Sequence, residues 1–523
     1  MFNIVPQPNE IIITGGKRGF QLNEDTTMTK ADYIGEFRDF VKRQFDIRIH
    51  RDSEATENTI VLQLTDEIED DEGYRLVSRD GCVYIYGRRE NGIFYGLQTL
   101  KQLLMQGNGE IPDMYIEDKP LYKYRGFMLD SGRYFWTVKE IKRFIDLLAL
   151  HKINVFHWHL TEDQGWRVEI KKHPLLTEKG SRRSHTNFGL KPESGFYTQK
   201  DIREVVEYCH KRFIRVVPEF DIPGHTVAAI ACYPHLSCFG RHLKVATHWG
   251  VKHDILCAGK EETYRFVFDV IDELCELFPD KLIHLGGDEA VKMRWKLCPD
   301  CQKLMQKEGL ASEEQLQHYF MSRVNRYVKQ KGFTSIMWNY DGVENTDRLD
   351  KDIIWQMCGA NRKNGIVEKE LASGRKMYNS SANPYYLDFP YCWTNLKKVY
   401  EFEPEMGENM FGVEAPLWTE YVPTMKKAEY CTFPRLGAVA EIAWSAIEDR
   451  SYDRFEAGLP EYFDLLNAYH VHYATMKQAM PSFLRGKCQA LWFDRRVLHW
   501  QGLHNLVDAA LVEAAQKKAV KQP

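Results

Sequence analysis

Two adjacent carboxylates, Asp288 and Glu289, close the segment IHLGGDEAV (283–291), directly after an apolar run and two glycines. Acids that attack a sugar from opposite faces normally sit across the ring, on different strands. Neighbours on one turn cannot straddle a substrate in that way. Other polar residues also gather where apolar runs end. RGFMLDSGRYF brings Arg125, Asp130 and Arg133; HWHLTEDQGWR brings His157, His159, Glu162 and Asp163; PEFDIPGH brings Glu219 and His225. Later run ends supply Trp338, Trp355, Tyr386 with Asp388, and Trp418 with Glu420. Carboxylates beside flat aromatic faces suit a sugar, whose C–H faces stack while its hydroxyls take directional hydrogen bonds.

The elements that must position these residues are legible as eight short runs rich in branched and aromatic side chains. They are GFMLD (126–130), INVFHWHL (153–160), IRVVPEF (214–220), LIHLGG (282–287), TSIMWN (334–339), DIIWQM (352–357), RKMYNS (375–380) and MFGVEAPLW (410–418). Near-continuous apolar runs of this kind suit strands buried on both faces of a parallel sheet. Amphipathic helices lie between several of them. Thr137 with Glu140 forms a capping-box pattern before Ile141, Phe144, Ile145 and Leu148; Thr198 with Asp201 opens the next helix. Eight strands with interleaved helices predict a (β/α)₈ TIM barrel over residues 121–450, its site at the C-terminal ends of the strands. Residues 1–120 read as a small α+β domain, with TIVLQL (59–64), a hairpin turning at Asp80-Gly81, and one helix over GIFYGLQTLKQLL (92–104). All twelve tryptophans lie beyond it. Residues 451–523 read as a C-terminal helical extension, with YDRFEAGLPEYFDLLNAY as one helix closing the barrel. The remainder, with Trp492, Trp500 and LHNLVDAALVEAAQKKAV, could pack on the barrel, form a homodimer or border the site.

Bulk properties exclude several classes. At 44% hydrophobic residues the chain can fill a sizeable core, and a net charge of −4 with both signs interspersed gives no footprint for nucleic acid or a membrane surface. No apolar run approaches a membrane span. The N-terminal MFNIVPQPNE lacks the basic segment and apolar stretch of a signal peptide, and twelve scattered cysteines fit reduced thiols, so a cytoplasmic protein is expected. CPDC (298–301) offers two thiols where zinc normally takes four ligands, and no metal or cofactor is expected. Arg125 and Asp130 read as a buried ion pair bracing the barrel. His157 and His159 share one strand face and read first as core histidines.

Taken together, RGFMLDSGR, NVFHWHLTEDQGWR, PEFDIPGH, HLGGDE and APLWTE resemble glycoside hydrolase family 20, the β-N-acetylhexosaminidases. The first 120 residues resemble that family's N-terminal α+β domain. GGDE also opens the diguanylate cyclase signature, but Ala290 stands where phenylalanine should follow. The resemblance implies an exo-acting, retaining enzyme that removes terminal β-linked GlcNAc or GalNAc, the substrate's own 2-acetamido oxygen acting as nucleophile. It implies Glu289 as general acid and base, and Asp288 as the carboxylate that holds the acetamido N–H and stabilises an oxazolinium cation. Tyr386 would donate to the acetamido oxygen, and His225 would link Glu289 to Glu162 or Asp163. Arg133 would grip the O3 and O4 hydroxyls, with Asp388 and Glu420 on O6 and O4, and Trp338, Trp355 and Trp418 boxing the acetamido methyl. His159 and Asp163 join the substrate-binding set. Glu162 stands where several relatives carry aspartate, and Tyr134 where some carry histidine. Glu289 is expected to stay protonated near neutrality, its pKa raised by anionic Asp288. Two rival classes remain. One is a metal-dependent amidohydrolase using His157, His159, His225 and His284, although no bridging lysine is evident. The other is a non-catalytic amino-sugar-binding protein, which would lack Asp288 or Glu289.

Overall fold

The computed structural model describes residues 2–491 apart from 16–18, 53, 55, 188–189, 340–345 and 360–364. The expected helix over 503–520, with Trp492 and Trp500, lies outside the described residues. Eight parallel strands close into a barrel in sequence order. We label them after the seven strands of the N-terminal sheet: β8 (Tyr124–Asp130), β9 (Val155–His159), β10 (Arg215–Glu219), β11 (Leu282–His284), β12 (Thr334–Asn339), β13 (Ile354–Met357), β14 (Met377–Asn379) and β15 (Met410–Leu417). Every apolar run singled out in the sequence falls on one of them, β8 starting two residues before its run. Both capping boxes form, at the starts of α3 (Val138–Leu150) and α4 (Gln199–His210), each helix burying its apolar stripe. The barrel therefore matches the TIM architecture, and its strand ends carry the polar clusters. No helix among the described residues is long and apolar enough to cross a membrane.

The N-terminal unit is a mixed sheet of β1 (Glu10–Ile13), β2 (Thr27–Met28), β3 (His50–Arg51), β4 (Thr59–Leu64), β5 (Tyr74–Arg79), β6 (Cys82–Gly87) and β7 (Met114–Asp118), in the order β1-β7-β5-β6-β4-β2-β3. Asp80 (φ 51°) and Gly81 (φ 76°) make the turn between β5 and β6, with the positive φ values that a two-residue hairpin loop requires. Two helices accompany the sheet where one was expected: α1 (Gly35–Phe45) as well as α2 (Glu90–Gln106). The sequence hides α1 because its polar residues outnumber the buried Phe37, Phe40 and Val41. After the barrel, the single expected helix is two, α6 (Tyr452–Ala457) and α7 (Leu459–Ala468), broken at Gly458 with Pro460 in the first turn of the second. Proline has no N–H to continue the earlier ladder, which is why a helix starts there.

Buried ion pairs key the sheet domain to the barrel. Arg125 does not pair with Asp130. Its guanidinium reaches out of β8 and takes Glu72 with both terminal nitrogens, at 2.9 and 2.8 Å, while Nε donates to the Lys152 carbonyl at 2.8 Å. Asp130 instead accepts from Arg133 and from Thr419. Lys152 meets Asp118 at 2.9 Å, and the same carboxylate accepts the Trp444 indole N–H at 2.8 Å. The sequence reading stayed within one domain, whereas Arg125 finds its partner 53 residues earlier in the other. Fork geometry of this kind is among the stronger ion pairings. Glu72→Ala should strand a buried guanidinium and lower stability by about 3–5 kcal/mol. A urea denaturation midpoint that falls at constant slope would show this; an unchanged midpoint would remove the pair from the interface.

Candidate active site

The barrel axis is polar. Glu219, fully buried on β10, accepts from the Trp338 indole at 2.8 Å and lies 2.5 Å from His159 Nδ1, 3.0 Å from His157 Nε2 and 3.1 Å from His284 Nδ1. Glu414 on β15 takes the other side of His157 at 2.8 Å, the Tyr124 hydroxyl at 2.8 Å and the Gln356 amide at 2.6 Å. His157 and His159 are thus bonded core histidines. Trp158 and Trp166 are wall, their indoles donating to Ser131 and to the Val168 carbonyl. Sequence reasoning gives Glu414 no part in the site, and His284 a part only in the metal-hydrolase alternative. One signal was available: an acid in the middle of an otherwise apolar strand, as in MFGVEAPLW, must face partners in the interior.

Above this layer the strand ends turn sharply. After β11, Gly286 (φ 62°) and Gly287 (φ 97°) reverse the chain and Glu289 itself is left-handed (φ 45°). A Cβ on Gly286 would stand 1.7 Å from an Asp221 oxygen, which explains the first glycine of LGGDE. His225 is also left-handed (φ 51°). Non-glycine residues in that region carry local strain, held by the surrounding structure. His225 Nδ1 lies 2.7 Å from Glu162, against 3.9 Å from Asp163, so Glu162 is the partner. On the far side, its Nε2 faces Glu289 at 3.5 Å and Asp288 at 3.8 Å. Both carboxylates flank one imidazole edge, and both sit on one side of the mouth.

Opposite them, Arg133 contacts Asp130 at 3.1 Å, Glu162 at 3.2 Å and Glu420 at 3.4 Å, its guanidinium 5.0 Å above the Trp418 ring. Trp418 packs 5.6 Å from Trp338 and 6.1 Å from Tyr386. Asp288 Oδ1 and Asp388 Oδ1 are buried without a hydrogen-bonding partner in the protein, as acceptors awaiting a polar ligand would be. Three residues of the expected set do not face the sugar pocket as expected. Trp355 pairs in register with Met337, while its neighbour Gln356 pairs with Trp338 and bonds Glu414 inside the barrel. Successive strand side chains alternate faces, so Trp355 points outward, under the Arg375 guanidinium at 4.5 Å. The aromatic box therefore holds Trp338 and Trp418 without it. His159 is fully buried with both ring nitrogens held by Glu219 and Glu162. Asp163 is equally buried and accepts the Val227 N–H at 2.9 Å, supporting the His225 loop from behind.

The charges follow from this packing. Burial opposes charging of His225, but Glu162 and Asp221 outweigh it and raise its pKa well above the ordinary value. Glu162, pushed up by burial, is pulled far down by Arg133 and His225. Burial also pushes Glu289 up, yet the His225 imidazolium 3.5 Å away, with Arg133, brings its pKa below the usual carboxylate value. The expected protonated Glu289 is therefore not the resting form: the proton sits on His225, beside it. Asp288 is raised to about 6, by burial first, with Glu289 and Glu219 adding and His225 opposing. Asp388 is raised by burial and by Glu420. Burial dominates at Tyr386 too, and Asp288 contributes to keeping its phenol protonated.

Fold and mouth together define a TIM-barrel glycoside hydrolase. The family model for the glycosyl hydrolase family 20 catalytic domain matches residues 122–447, and that for the family's domain 2 matches residues 1–119. The chain belongs to glycosyl hydrolase family 20. It is 35% identical over 503 residues to a beta-hexosaminidase of Porphyromonas gingivalis, a match covering 90% of this chain and 64% of that protein. A beta-hexosaminidase of Akkermansia muciniphila is 33% identical over 433 residues, covering 78% of this chain and 87% of its own. Among solved structures, an exo beta-N-acetylglucosaminidase of Vibrio harveyi in complex with N-acetylglucosamine superposes with a TM-score of 0.81 at 26% identity, covering 91% of this chain and 78% of that one. A mutant Streptomyces plicatus beta-hexosaminidase in complex with product (GlcNAc) gives 0.79 at 30% identity, covering 92% and 98%.

The two tryptophans on opposite faces of the barrel should separate in experiment. Trp355→Phe should leave kcat and KM unchanged and register only in thermal stability. Trp338→Phe removes a donor from buried Glu219, a charged hydrogen bond of about 1.5–3 kcal/mol, and should lower kcat/KM as well. Equal kinetic losses would return Trp355 to the pocket.

Proposed function

We propose that this chain is an exo-acting, retaining β-N-acetylhexosaminidase that releases terminal GlcNAc or GalNAc from β-glycosides through an oxazolinium intermediate. The observation that carries the reading is the one-sided placement of Asp288 and Glu289 about His225, at 3.8 and 3.5 Å. An enzyme nucleophile would have to lie across the ring, whereas an acetamido oxygen supplied by the substrate leaves both carboxylates free to serve the same side. The names of the relatives and their complexes with N-acetylglucosamine support the substrate class.

In this reading Arg133, Asp388 and Glu420 bind the sugar hydroxyls, and Trp338 and Trp418 hold the acetamido group against the anomeric carbon. Glu289, reprotonated from His225, gives its proton to the glycosidic oxygen as that bond breaks. The acetamido oxygen forms its bond to C1, and the positive charge spreads over the new ring. Asp288 accepts the N–H hydrogen bond and Tyr386 donates to the oxygen. Water then attacks C1, its proton returning to Glu289, and two inversions give net retention. Glu162 keeps His225 charged and oriented, so the relay restores the acid after each turnover. We also read the protein as cytoplasmic, a reading supported by its twelve cysteines, none of them disulfide-bonded. The histidines of the metal-hydrolase rival divide between two partners, His157, His159 and His284 on Glu219 and His225 on Glu162.

Two results test the roles. Glu289→Gln should lower kcat on a chito-oligosaccharide by about 10²–10⁴-fold, the usual worth of general acid–base catalysis, with a smaller loss on an aryl glycoside whose leaving group needs no proton. Equal losses on both would sink the acid role. The second concerns pH. Asp288, raised to about 6, must be a carboxylate to stabilise the cation, so kcat/KM should fall as pH drops through that value. Asp288→Asn should lose most activity and flatten this acid limb. A limb that persists unchanged in the variant would belong to another group, with Asp163, also raised to about 6, the next to replace.

A further inference from the structure

The two thiols of CPDC are not alone. Cys238 and Cys257, from the long segment that follows β10, meet Cys298 and Cys301, from the segment that follows β11, and all four sulfurs lie within 4.8 Å of one another. Cys257 Sγ stands 3.7 Å from Cys298 and 3.6 Å from Cys301. A disulfide would need about 2.05 Å. A tetrahedral ion with zinc–sulfur bonds of about 2.3 Å places its ligands about 3.8 Å apart along each edge. The four thiols are buried, and none is disulfide-bonded.

We infer that these four cysteines form a structural zinc site that clamps the two loops carrying the relay and the paired acids. Binding replaces four S–H protons with one divalent ion, and four soft thiolates in a closed tetrahedron select zinc over harder cations. The local backbone is built for close approach. Ser237 and Leu256 form an antiparallel bridge that sets Cys238 beside Cys257. Cys298 is the N-cap of α5 (Pro299–Glu308) and Cys301 lies in its first turn, where the helix dipole favours thiolates. A Cβ on Gly259 would fall 2.4 Å from the Cys301 nitrogen, so the two strands of the clamp touch backbone to backbone. The fourfold set leaves no position for substrate or water, which makes the role positional and not catalytic.

What the clamp positions is visible on either side. Leu256 N–H donates to the Pro223 carbonyl at 3.0 Å, two residues before His225, and the Leu256 carbonyl accepts the Trp295 indole at 2.9 Å, six residues after Glu289. The segment between Cys238 and Cys257 also forms a wall of a cavity of about 680 Å³ lined by Arg182, Arg183, Arg241, Lys244, Lys252 and Arg294. Loss of the ion should therefore disturb both the acid relay and that wall.

The test is the metal content of the full-length protein, purified under reducing conditions without a metal-affinity step and measured by inductively coupled plasma mass spectrometry. On the order of one zinc per chain is expected. Replacement by cobalt should give thiolate-to-metal charge-transfer bands and tetrahedral d–d absorption. Cys298→Ser with Cys301→Ser should bring zinc to background and lower Tm, while Cys82→Ser, at a buried thiol outside the cluster, should retain the full equivalent. Cys238→Ser alone is the milder variant if the pair fails to fold, and should weaken zinc retention against a chelator. The site is overturned if the wild-type protein neither carries nor takes up zinc, if stoichiometric iron occupies it, or if peptide mapping finds these cysteines in disulfides.

Discussion

Glu219 is a carboxylate at the axis of a closed barrel, and most of the site follows from keeping it charged there. Moving an ion of that size out of water costs several kcal/mol even after relaxation, unless partners surround it. Four do: His157, His159, His284 and Trp338. Burial pushes Glu219 up, but the three histidines hold its pKa far below the carboxylate range. They answer differently. His157 is raised to about 9 and His159 well above its ordinary value, each against the opposing effect of burial, while burial wins at His284 and lowers it. His159 then passes the alternation on, since its second nitrogen faces Glu162, which in turn faces Arg133 and His225. Opposite charges thus run from the barrel centre to Glu289, and each side chain is fixed by its neighbours on both sides.

That alternation explains which parts of the site could be read in the sequence. The eight strands were legible because each is a compact apolar run, and their ends because polar residues crowd there. The capping boxes gave helix starts directly, from Thr137 with Glu140 and Thr198 with Asp201. Parity within a strand was less secure. Trp355 looked like a member of the aromatic box, yet a strand turns each successive residue to the other face, and one position decided between pocket and outer wall. His159 and Asp163 were in the right place with the wrong duty, because sequence gives proximity to the mouth and not which atoms other side chains have already taken.

Pairings over long separations were hidden for a different reason. Arg125 and Asp130 are close in the chain and opposite in charge, but Glu72, in another domain, offers the better fork. CPDC looked like half a metal site because the other two thiols lie in the preceding loop at a different spacing, and the pairing of β10 with β11 sets the two loops side by side. The titration of Glu289 was misjudged by counting its nearest chain neighbour, Asp288, and not the imidazolium across from it. In each case topology set the distance that mattered.

The adjacency of Asp288 and Glu289 now has a physical account. Two carboxylates that close would repel if both were charged in a dry site, and the cation between their far ends relieves this. His225 is held positive by Glu162 and reaches both acids from one edge. The trio therefore carries a net proton that Glu289 can use while Asp288 remains an anion above about pH 6. The backbone meets a cost for this arrangement, with both His225 and Glu289 in the left-handed region. Such strain persists only where neighbours overdetermine it. Here Asp163 behind Val227, Asp221 against Gly286 and the cysteine cluster beneath both loops supply that restraint. A catalytic pair on a single turn is workable because the loops that hold it are braced from three directions. In the proposed mechanism, the nucleophile that a second carboxylate would otherwise provide comes with the substrate.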